Sequence, residues 1–211
     1  MHISRVRASL RRRWTRLRKR FGPEVLYTYS FGQSATVDPR DDWVGYSLVP
    51  VSAENLAEFR SSYPDQQNDR KHGIMTARIN HPVESSWLIR GPGGTWCGYC
   101  HIAWQDVDNA RIGHRVKVTP SQAYFFDDYV VGVHRGKRLQ AFSIAARLEL
   151  AARRGAVEGL TTISKGNAPS LVSYAKFGLV RTGTLLAFPR WKRTVAIPAP
   201  SLLVRTGADG R

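Results

Sequence analysis

Apolar positions in this chain recur with two periods, one typical of β-strands and the other typical of helices. Short apolar runs bounded by turn residues predict strands at residues 44–49, 86–90, 96–104, 121–131, 160–163, 179–182 and 184–188. Apolar residues spaced by three and four predict helices that begin at Ser52, Leu139 and Asn167, with a further short helix within residues 60–80. The pattern therefore predicts a domain that mixes strands and helices.

The first 22 residues carry a separate apolar stripe. Six apolar residues recur there at steps of three and four: Ile3, Val6, Leu10, Trp14, Leu17 and Phe21. The same segment holds nine Arg or Lys residues and no acid. This composition predicts a basic amphipathic helix, a type that binds anionic membrane surfaces, here through residues 3–21. Packing on the body or a partner, nucleic-acid binding and a mitochondrial-type transit sequence are the alternatives.

Four regions are expected along the chain. Residues 1–22 form the basic helix, and residues 23–42 form an extended connector with a strand-like run at 25–29. Residues 43–195 form the folded domain, and residues 196–211 form a flexible tail. Because no stretch approaches the roughly 20 apolar residues of a spanning helix, we expect no transmembrane segment.

The net charge of +16 is concentrated at the N-terminus. Beyond residue 22 the chain holds 23 basic and 16 acidic residues, so the body is only mildly basic. This distribution argues against nucleic acid as the main partner of the body. Two cysteines are too few for a disulfide framework, which favours a reducing, cytoplasmic compartment.

Cys97, Cys100 and His101 match the spacing of a haem-attachment motif. They lie within the predicted strand at 96–104, which sets the two Cα atoms about 10 Å apart, beyond the reach of a disulfide. Side chains three positions apart on a strand point to opposite faces. We therefore interpret both cysteines as strand thiols and, without further ligands at a zinc-like spacing, expect no metal.

A basic turn joins the predicted strand at 121–131 to the helix at Leu139. It reads His134-Arg135-Gly136-Lys137-Arg138. Unpaired backbone N–H groups and the positive end of the helix dipole collect at such a helix start, where they can bind a pyrophosphate. Many basic strand–turn–helix joints bind nothing, so the turn alone is a weak indication.

A second motif follows after one helix and one strand. Asn167 is a suitable N-cap, Pro169 is tolerated in the first turn, and Phe177-Gly178 ends the helix. Together the two segments resemble the cofactor motifs of the GNAT acyltransferase superfamily. The basic turn is similar to the acyl-coenzyme A loop, written R/Q-x-x-G-x-G/A. Residues 167–179 are similar to the second motif, an Asn followed by a Tyr and then a step of Gly and an aromatic residue.

The resemblance covers residues 43–195 and implies an α+β GNAT fold, a central mixed, mostly antiparallel twisted sheet flanked by helices. It implies that acetyl-coenzyme A or another acyl-coenzyme A is the co-substrate. The pantetheine arm would pair with the edge at residues 130–133, and the pyrophosphate would rest on amides of residues 136–141. The residues expected to bind the cofactor are Val130, Val131, Val133, Arg135, Gly136, Lys137, Arg138, Leu139, Gln140 and Asn167.

The sequence departs from the family pattern at Arg138 and Gln140, where small residues are usual. Glycine at these positions lets the backbone close on the phosphates. Side chains can also point away from a loop that binds through its backbone. The departure leaves a non-catalytic binding module with a GNAT fold as a second interpretation.

Asp127 and Asp128 lie just upstream of the pairing segment, where the resemblance places an acidic base. Two adjacent acids are unusual in a core strand and suggest a polar cleft. Neighbouring strand residues face opposite sides, and Asp128 is favoured as the base because it shares a face with Val130. The alternatives are that these acids bind the backbone or basic partners, or attract an ammonium group without moving a proton.

Tyr174 is the candidate acid that protonates the departing thiolate, a role that the resemblance implies for a tyrosine near this place. A core tyrosine with a satisfied hydroxyl is the alternative. These features predict a cytoplasmic coenzyme A-dependent N-acyltransferase, peripheral on the inner face of the membrane. The acceptor would be an amine on a small molecule or on a lipid carrier, such as an amino sugar or an amino-lipid. Nucleic-acid binding through the basic arm is a third interpretation, and the oligomeric state is open.

Overall fold

The computed structural model describes residues 22–32 and 43–200, which form ten strands and four α-helices. The strands are β1 (Glu24–Gly32), β2 (Ser47–Pro50), β3 (Glu84–Arg90), β4 (Trp96–Ala103), β5 (Val107–Asn109), β6 (His114–Val116), β7 (Gln122–Val130), β8 (Glu158–Ser164), β9 (Val180–Phe188) and β10 (Arg193–Pro198). The helices are α1 (Ala53–Ser62), α2 (Asp69–Ala77), α3 (Leu139–Arg153) and α4 (Ala168–Ala175). The helix predicted over residues 1–22 lies outside the described residues, apart from its last position. None of the described helices has the length and apolar character needed to cross a membrane.

Within these residues, eight strands form one sheet and two form a separate hairpin. The order in the large sheet is β10-β9-β1-β8-β7-β4-β3-β2, and β5 pairs with β6. β7 and β8 run parallel, whereas the other described pairs are antiparallel. The parallel pair needs a crossover, which α3 supplies. The predicted α+β fold with a mixed, mostly antiparallel sheet is confirmed.

Residues 24–32, assigned by the sequence to a connector, form β1 inside the sheet. β1 pairs with β8 from Leu26 opposite Ser164 and with β9 from Glu24 opposite Ala187. Leu26 is 2% exposed, as expected for a central strand. The alternation at residues 25–29 indicates a strand, but it carries no information about partners that come from the far end of the chain. The folded domain therefore begins before residue 43, which corrects the predicted connector.

Three strands escaped the sequence prediction. β5 and β6 have three residues each, too few to show an alternating pattern. β10 is exposed at five of its six positions, so it shows no amphipathic signal. It extends the sheet to Pro198, past the predicted domain end at residue 195, and β9 is one strand where two short ones were predicted.

Two of the four described helices, α1 and α4, begin at the capping residues that the sequence indicated. The Ser52 hydroxyl accepts a hydrogen bond from the Asn55 N–H, and the Asn55 side chain accepts one from the Ser52 N–H. The Asn167 side chain accepts from the Ser170 N–H, and Gly178 follows α4 with a φ of 68°. An N-cap of this kind contributes about 1 kcal/mol to helix stability.

Helices cover both faces of the sheet. Leu88 of β3 packs with Phe59 of α1, whereas the next residue, Ile89, packs with Leu139 and Phe142 of α3. Successive strand residues point to opposite faces, so α1 and α3 lie on opposite sides. The C-terminal end of β7 therefore lies between two helical layers.

Candidate functional site

The sheet opens between β7 and β8. Their parallel pairing ends at Phe125 opposite Thr161. Beyond this point β7 remains paired with β4 as far as Val130, while β8 remains paired with β1 as far as Ser164. Because each strand follows a different neighbour, a cleft forms between their C-terminal halves.

A β-bulge shapes β7 beside this cleft. The register with β4 shifts so that Cys100 alone lies opposite Asp127 and Asp128. Asp127 has a φ of 55°, in the left-handed region. On β4, Gly98 permits the close approach, since a Cβ there would lie 2.2 Å from the Tyr129 carbonyl oxygen. The bulge directs the two acidic side chains to different surroundings.

The cleft leads into a cavity of about 610 Å³, a volume typical of small-molecule sites. β7, the basic turn, the start of α3 and α4 all contribute to its lining. The predicted site residues that line it are Asp128, Val130, Arg135, Gly136, Arg138, Leu139, Gln140 and Asn167. The structure thus brings the two predicted cofactor motifs and one acid to a single cavity.

Asp128 is the acid that reaches this cavity. Its Oδ2 accepts hydrogen bonds from Arg147 Nη2 at 2.7 Å and from the Tyr174 hydroxyl at 2.8 Å. Its Oδ1 is buried and has no hydrogen-bond partner among the described residues. The side chain is 9% exposed. A buried carboxylate oxygen without a donor is costly, and it indicates a place where a ligand can donate.

Asp127 is engaged on the other side of the bulge. Its Oδ2 forms ion pairs with Lys71 of α2 and with Arg78 Nη1 at 3.2 Å. His101 Nε2 lies 3.5 Å from the same oxygen. The cavity lining, as far as the described residues form it, does not include Asp127. The role of Asp127 as a base stays a prediction. The geometry favours the alternative, in which Asp127 pairs with basic side chains.

Tyr174 lies behind Asp128. It is 2% exposed, and its ring packs edge-on against Phe31 with centroids 5.1 Å apart. Burial, together with the Asp128 carboxylate, raises the pKa of Tyr174 well above its usual value. Among the described residues it is not one that lines the cavity. Its role as an acid stays a prediction, and its hydroxyl proton is directed at Asp128.

The basic turn and the start of α3 form the far wall of the cavity. Gly136 and Arg138 both have positive φ, 84° and 57°. Arg138 is the N-cap of α3, and its side chain makes no capping hydrogen bond within the described structure. The amides of the first helical turn, including those of Leu139 and Gln140, therefore remain available to an anion. Arg138 adopts the backbone conformation that glycine adopts most easily, which matches the family preference for a small residue.

Gln140 spans the cavity rather than filling it. Its Nε2 donates to Ser170 Oγ of α4 at 3.0 Å. Both Gln140 and Arg138 line the open cavity, so neither side chain closes it. The departure from the family pattern therefore adds a side-chain contact between α3 and α4.

The remaining predicted cofactor residues lie outside this lining, as far as the described residues form it. β7 ends at Val130, and residues 132–134 form a short 3₁₀ turn, so the pairing edge is shorter than predicted. Val131 is buried and donates its N–H to the Cys97 carbonyl, while Val133 is 76% exposed. Lys137 lines a smaller neighbouring cavity with Tyr46.

Sequence reasoning missed Arg147, which is fully buried in α3 and bonded to Asp128. A signal was present, because Arg147 lies three residues after Ile144 and four before Ala151, on the buried face of the helix. A charged residue at such a position needs a partner. Tyr99 and Tyr129, which stack with centroids 5.2 Å apart, also line the cavity.

Comparison with known proteins supports the fold. No protein-family model matches the chain. A protein of Novosphingobium aromaticivorans described as a GNAT-family acetyltransferase has a TM-score of 0.53, with 14% identity over 84% of this chain and 66% of that one. A Drosophila protein has a TM-score of 0.52, with 13% identity over 91% of this chain and 58% of that one. At such identities the likeness concerns the fold alone, and the chain has the GNAT fold.

One curated relative matches part of the sequence. Arginine deiminase of Limosilactobacillus reuteri is 30% identical over 86 residues, which are 40% of this chain. The chain spans 20% of the length of that enzyme.

Proposed function

We propose that this protein is an acyl-coenzyme A-dependent N-acyltransferase that acetylates an amine by direct attack on the thioester. The observation that carries the proposal is the meeting of the two motifs and Asp128 at one cavity in the split of the sheet. GNAT folds host this chemistry, but the site must support it here.

The donor fits along the wall formed by the basic turn and α3. Its diphosphate is an anion that suits the free amides at the start of α3 and the positive charges of Arg135 and Arg138. Its pantetheine arm would follow the edge of β7 near Val130. In the structure the Val130 carbonyl accepts from Arg135 Nε at 3.3 Å, a contact that the arm would replace.

The acceptor amine fits at Asp128. Asp128 lines the cavity, and its buried Oδ1 accepts no hydrogen bond from any described residue. An ammonium or amine N–H can therefore donate to it. The stacked rings of Tyr99 and Tyr129 add aromatic surface that favours a cation.

The reaction then needs few groups. The acceptor ammonium passes one proton to Asp128 Oδ1, and the lone pair of the resulting neutral amine attacks the thioester carbonyl carbon. The nitrogen then carries one proton more than an amide does, and it releases this proton to water as the intermediate collapses. A C–N bond forms and the C–S bond breaks, leaving its electron pair on sulfur as the coenzyme A thiolate. Thiols have pKa values of about 8.5, so the thiolate takes up a proton from water at neutral pH. The Tyr174 hydroxyl is a poor source because burial raises its pKa well above the usual value.

We further propose that residues 3–21 hold the enzyme at an anionic membrane surface. Each basic residue near such a surface contributes about 1 kcal/mol, and tethering raises the local concentration of a membrane-bound acceptor. The acceptor would then be an amino sugar on a lipid carrier or an amino-lipid.

Acyl transfer is tested with the full-length protein, acetyl-coenzyme A and a panel of primary amines. Asp128→Asn is expected to lower kcat about 10²-fold or more, because a positioned general base contributes on that scale. Asp127→Asn is the matched comparison and is expected to stay within about threefold, since its ion pairs are partly exposed. Equal losses in both variants would contradict the assignment of Asp128.

A non-catalytic binding module is the second candidate, favoured by Arg138 at a position where glycine suits the backbone. Calorimetry with coenzyme A and acetyl-coenzyme A separates the two. Donor binding without transfer to any amine supports the module, and no donor binding contradicts both.

Membrane attachment is tested by co-sedimentation with phosphatidylglycerol-containing vesicles and with neutral phosphatidylcholine vesicles. A variant with Arg11, Arg12 and Arg13 changed to Gln is expected to lose binding to the anionic vesicles. Arg153→Gln, which removes an exposed charge of the body, is the control. Binding that is unchanged in the triple variant would contradict the tether.

A further inference from the structure

Arg147 is a buried cation that is held from several directions. It is 0% exposed, and its guanidinium carbon lies 4.5 Å from the centre of the Phe125 ring. Nε donates to the Ser143 carbonyl at 3.0 Å, and Nη1 donates to the His101 carbonyl at 3.0 Å. Backbone atoms of α3 and β4 thus fix the plane of the guanidinium independently of Asp128.

The same guanidinium fixes Asp128. Nη2 donates to Oδ2 of Asp128 at 2.7 Å, and the Tyr174 hydroxyl donates to that oxygen at 2.8 Å. Two donors from α3 and α4 therefore converge on one carboxylate oxygen and define the orientation of the group. Oδ1 is left buried and without a donor in the described structure, in a residue that lines the cavity.

We propose that Arg147 and Tyr174 are positioning residues that hold Oδ1 of Asp128 toward the cavity, where it receives an acceptor ammonium group. This inference rests on the proposed function and names two residues that act through Asp128 without touching the acceptor. Tyr174 then serves the carboxylate rather than the leaving thiolate.

The charges around Asp128 explain why Arg147 matters most. Ionisable groups that interact with Asp128 include Arg147 of α3, Tyr174 of α4, Tyr99 and Cys100 of β4, and Tyr124 of β7. Burial raises the pKa of Tyr99, Tyr124 and Tyr174, and it raises that of Cys100 to about 12, so these groups are neutral near pH 7. Of these five groups, Arg147 is the cation, and it offsets the cost of burying the carboxylate.

The test measures amine binding and catalysis separately. The probe is n-butylammonium, titrated into the full-length protein with coenzyme A bound and followed by ¹H–¹⁵N chemical shifts. Asp128→Asn and Arg147→Met are each expected to weaken binding about tenfold or more, because each removes one member of a buried charge pair. Arg147→Lys should restore part of the loss, and Tyr174→Phe should weaken binding less. Arg153→Lys, on the exposed face of α3, is the control.

Catalysis adds a readout that a purely structural role would not change. Arg147→Lys is expected to lower kcat about 10²-fold with little change in KM for the donor, because the carboxylate is misplaced. The pH profile of kcat is the second readout. In a Tyr174→Phe variant, kcat should still fall at high pH as it does in the wild-type protein. If Tyr174 were the acid, this fall would be lost.

The outcomes separate the two proposals. A wild-type protein that binds n-butylammonium but acylates no amine contradicts the proposed function and not the positioning role. Wild-type binding in a folded Arg147→Met variant overturns the positioning role, as does an Arg147→Lys variant no better than Arg147→Met. If Arg147→Met does not fold, the Arg147→Lys and Tyr174→Phe variants decide, and wild-type binding in both overturns it. An absence of n-butylammonium binding by the wild-type protein also overturns it.

Discussion

Gln140 on α3 and Ser170 on α4 are joined by a hydrogen bond of 3.0 Å across the donor side of the cavity. Each residue belongs to one of the two cofactor motifs, so the contact links the proposed pyrophosphate wall to the helix that begins at Asn167. Both side chains line the cavity beside this wall, where a bound donor would contact them.

Gln140→Ala is expected to tighten coenzyme A binding by about threefold to tenfold, because it removes a side chain held across the cavity beside the proposed donor wall. The hydrogen bond that is lost with this side chain contributes only about 1 kcal/mol. Isothermal calorimetry measures the change. Ser170→Ala is the matched variant, since it removes the hydrogen bond and leaves the Gln140 side chain in the cavity. Weaker binding by Gln140→Ala would show that the carboxamide is itself a ligand of the donor.

Arg138 holds a left-handed conformation, with φ 57° and ψ 24°, at the N-cap of α3. We expect Arg138→Gly to be more stable than Arg138→Ala by about 1 kcal/mol, because only glycine adopts this conformation without steric cost. Both variants lose the same charge, so the difference between their free energies of unfolding reports the effect of the backbone conformation alone. Urea denaturation provides the measurement, and equal free energies of unfolding in the two variants would contradict the expected strain.

Local signals in the sequence predicted much of the fold. The capping residues Ser52 and Asn167, the turn glycines and the period of α3 depend on neighbours within a few positions, and the structure confirms them. β1 shows the limit, because residues 24–32 read as an extended segment whose partners β8 and β9 lie more than a hundred positions away.

The candidate site could also be predicted only in part, because only some of its residues form local sequence patterns. The basic turn and Asn167 are recognisable in short segments, and both line the cavity. The separation of Asp127 from Asp128 depends on a bulge set by the register with β4, which no local pattern reveals. Arg147 reaches Asp128 only because α3 packs on β7, so its role requires the tertiary structure.

Gly98 tests the bulge beside Asp128. A Cβ at this position would lie 2.2 Å from the Tyr129 carbonyl oxygen, so Gly98→Ala forces two strands apart. We expect it to lower the free energy of unfolding by about 3 kcal/mol and to reduce activity through the displaced bulge. Gly73→Ala is the control, because a Cβ on that helical glycine meets nothing within 4 Å and should raise stability by about 0.5–1 kcal/mol. A stable Gly98→Ala protein would mean that β4 and β7 are less closely paired.

The burial of His101 allows a prediction of how the stability of the protein depends on pH. It is fully buried, its Nδ1 lies 2.8 Å from Ser86 Oγ, and burial together with the charges of Arg78, Lys71 and Arg147 holds its pKa well below 6.5. The unfolded chain therefore takes up a proton at this residue below about pH 6.5, whereas the folded protein does not, and stability falls as the pH falls.

Between pH 6 and pH 5 the wild-type protein is expected to lose about 1 kcal/mol more than His101→Gln, which cannot titrate and can still bond to Ser86. Urea denaturation at each pH gives both slopes. Since the effect appears only below the unfolded-state pKa, the difference between the two slopes should disappear between pH 7.5 and pH 8.5. Parallel curves through the acidic range would mean that His101 becomes protonated in the folded protein, and Asp127, 3.5 Å from Nε2, would be its counter-ion.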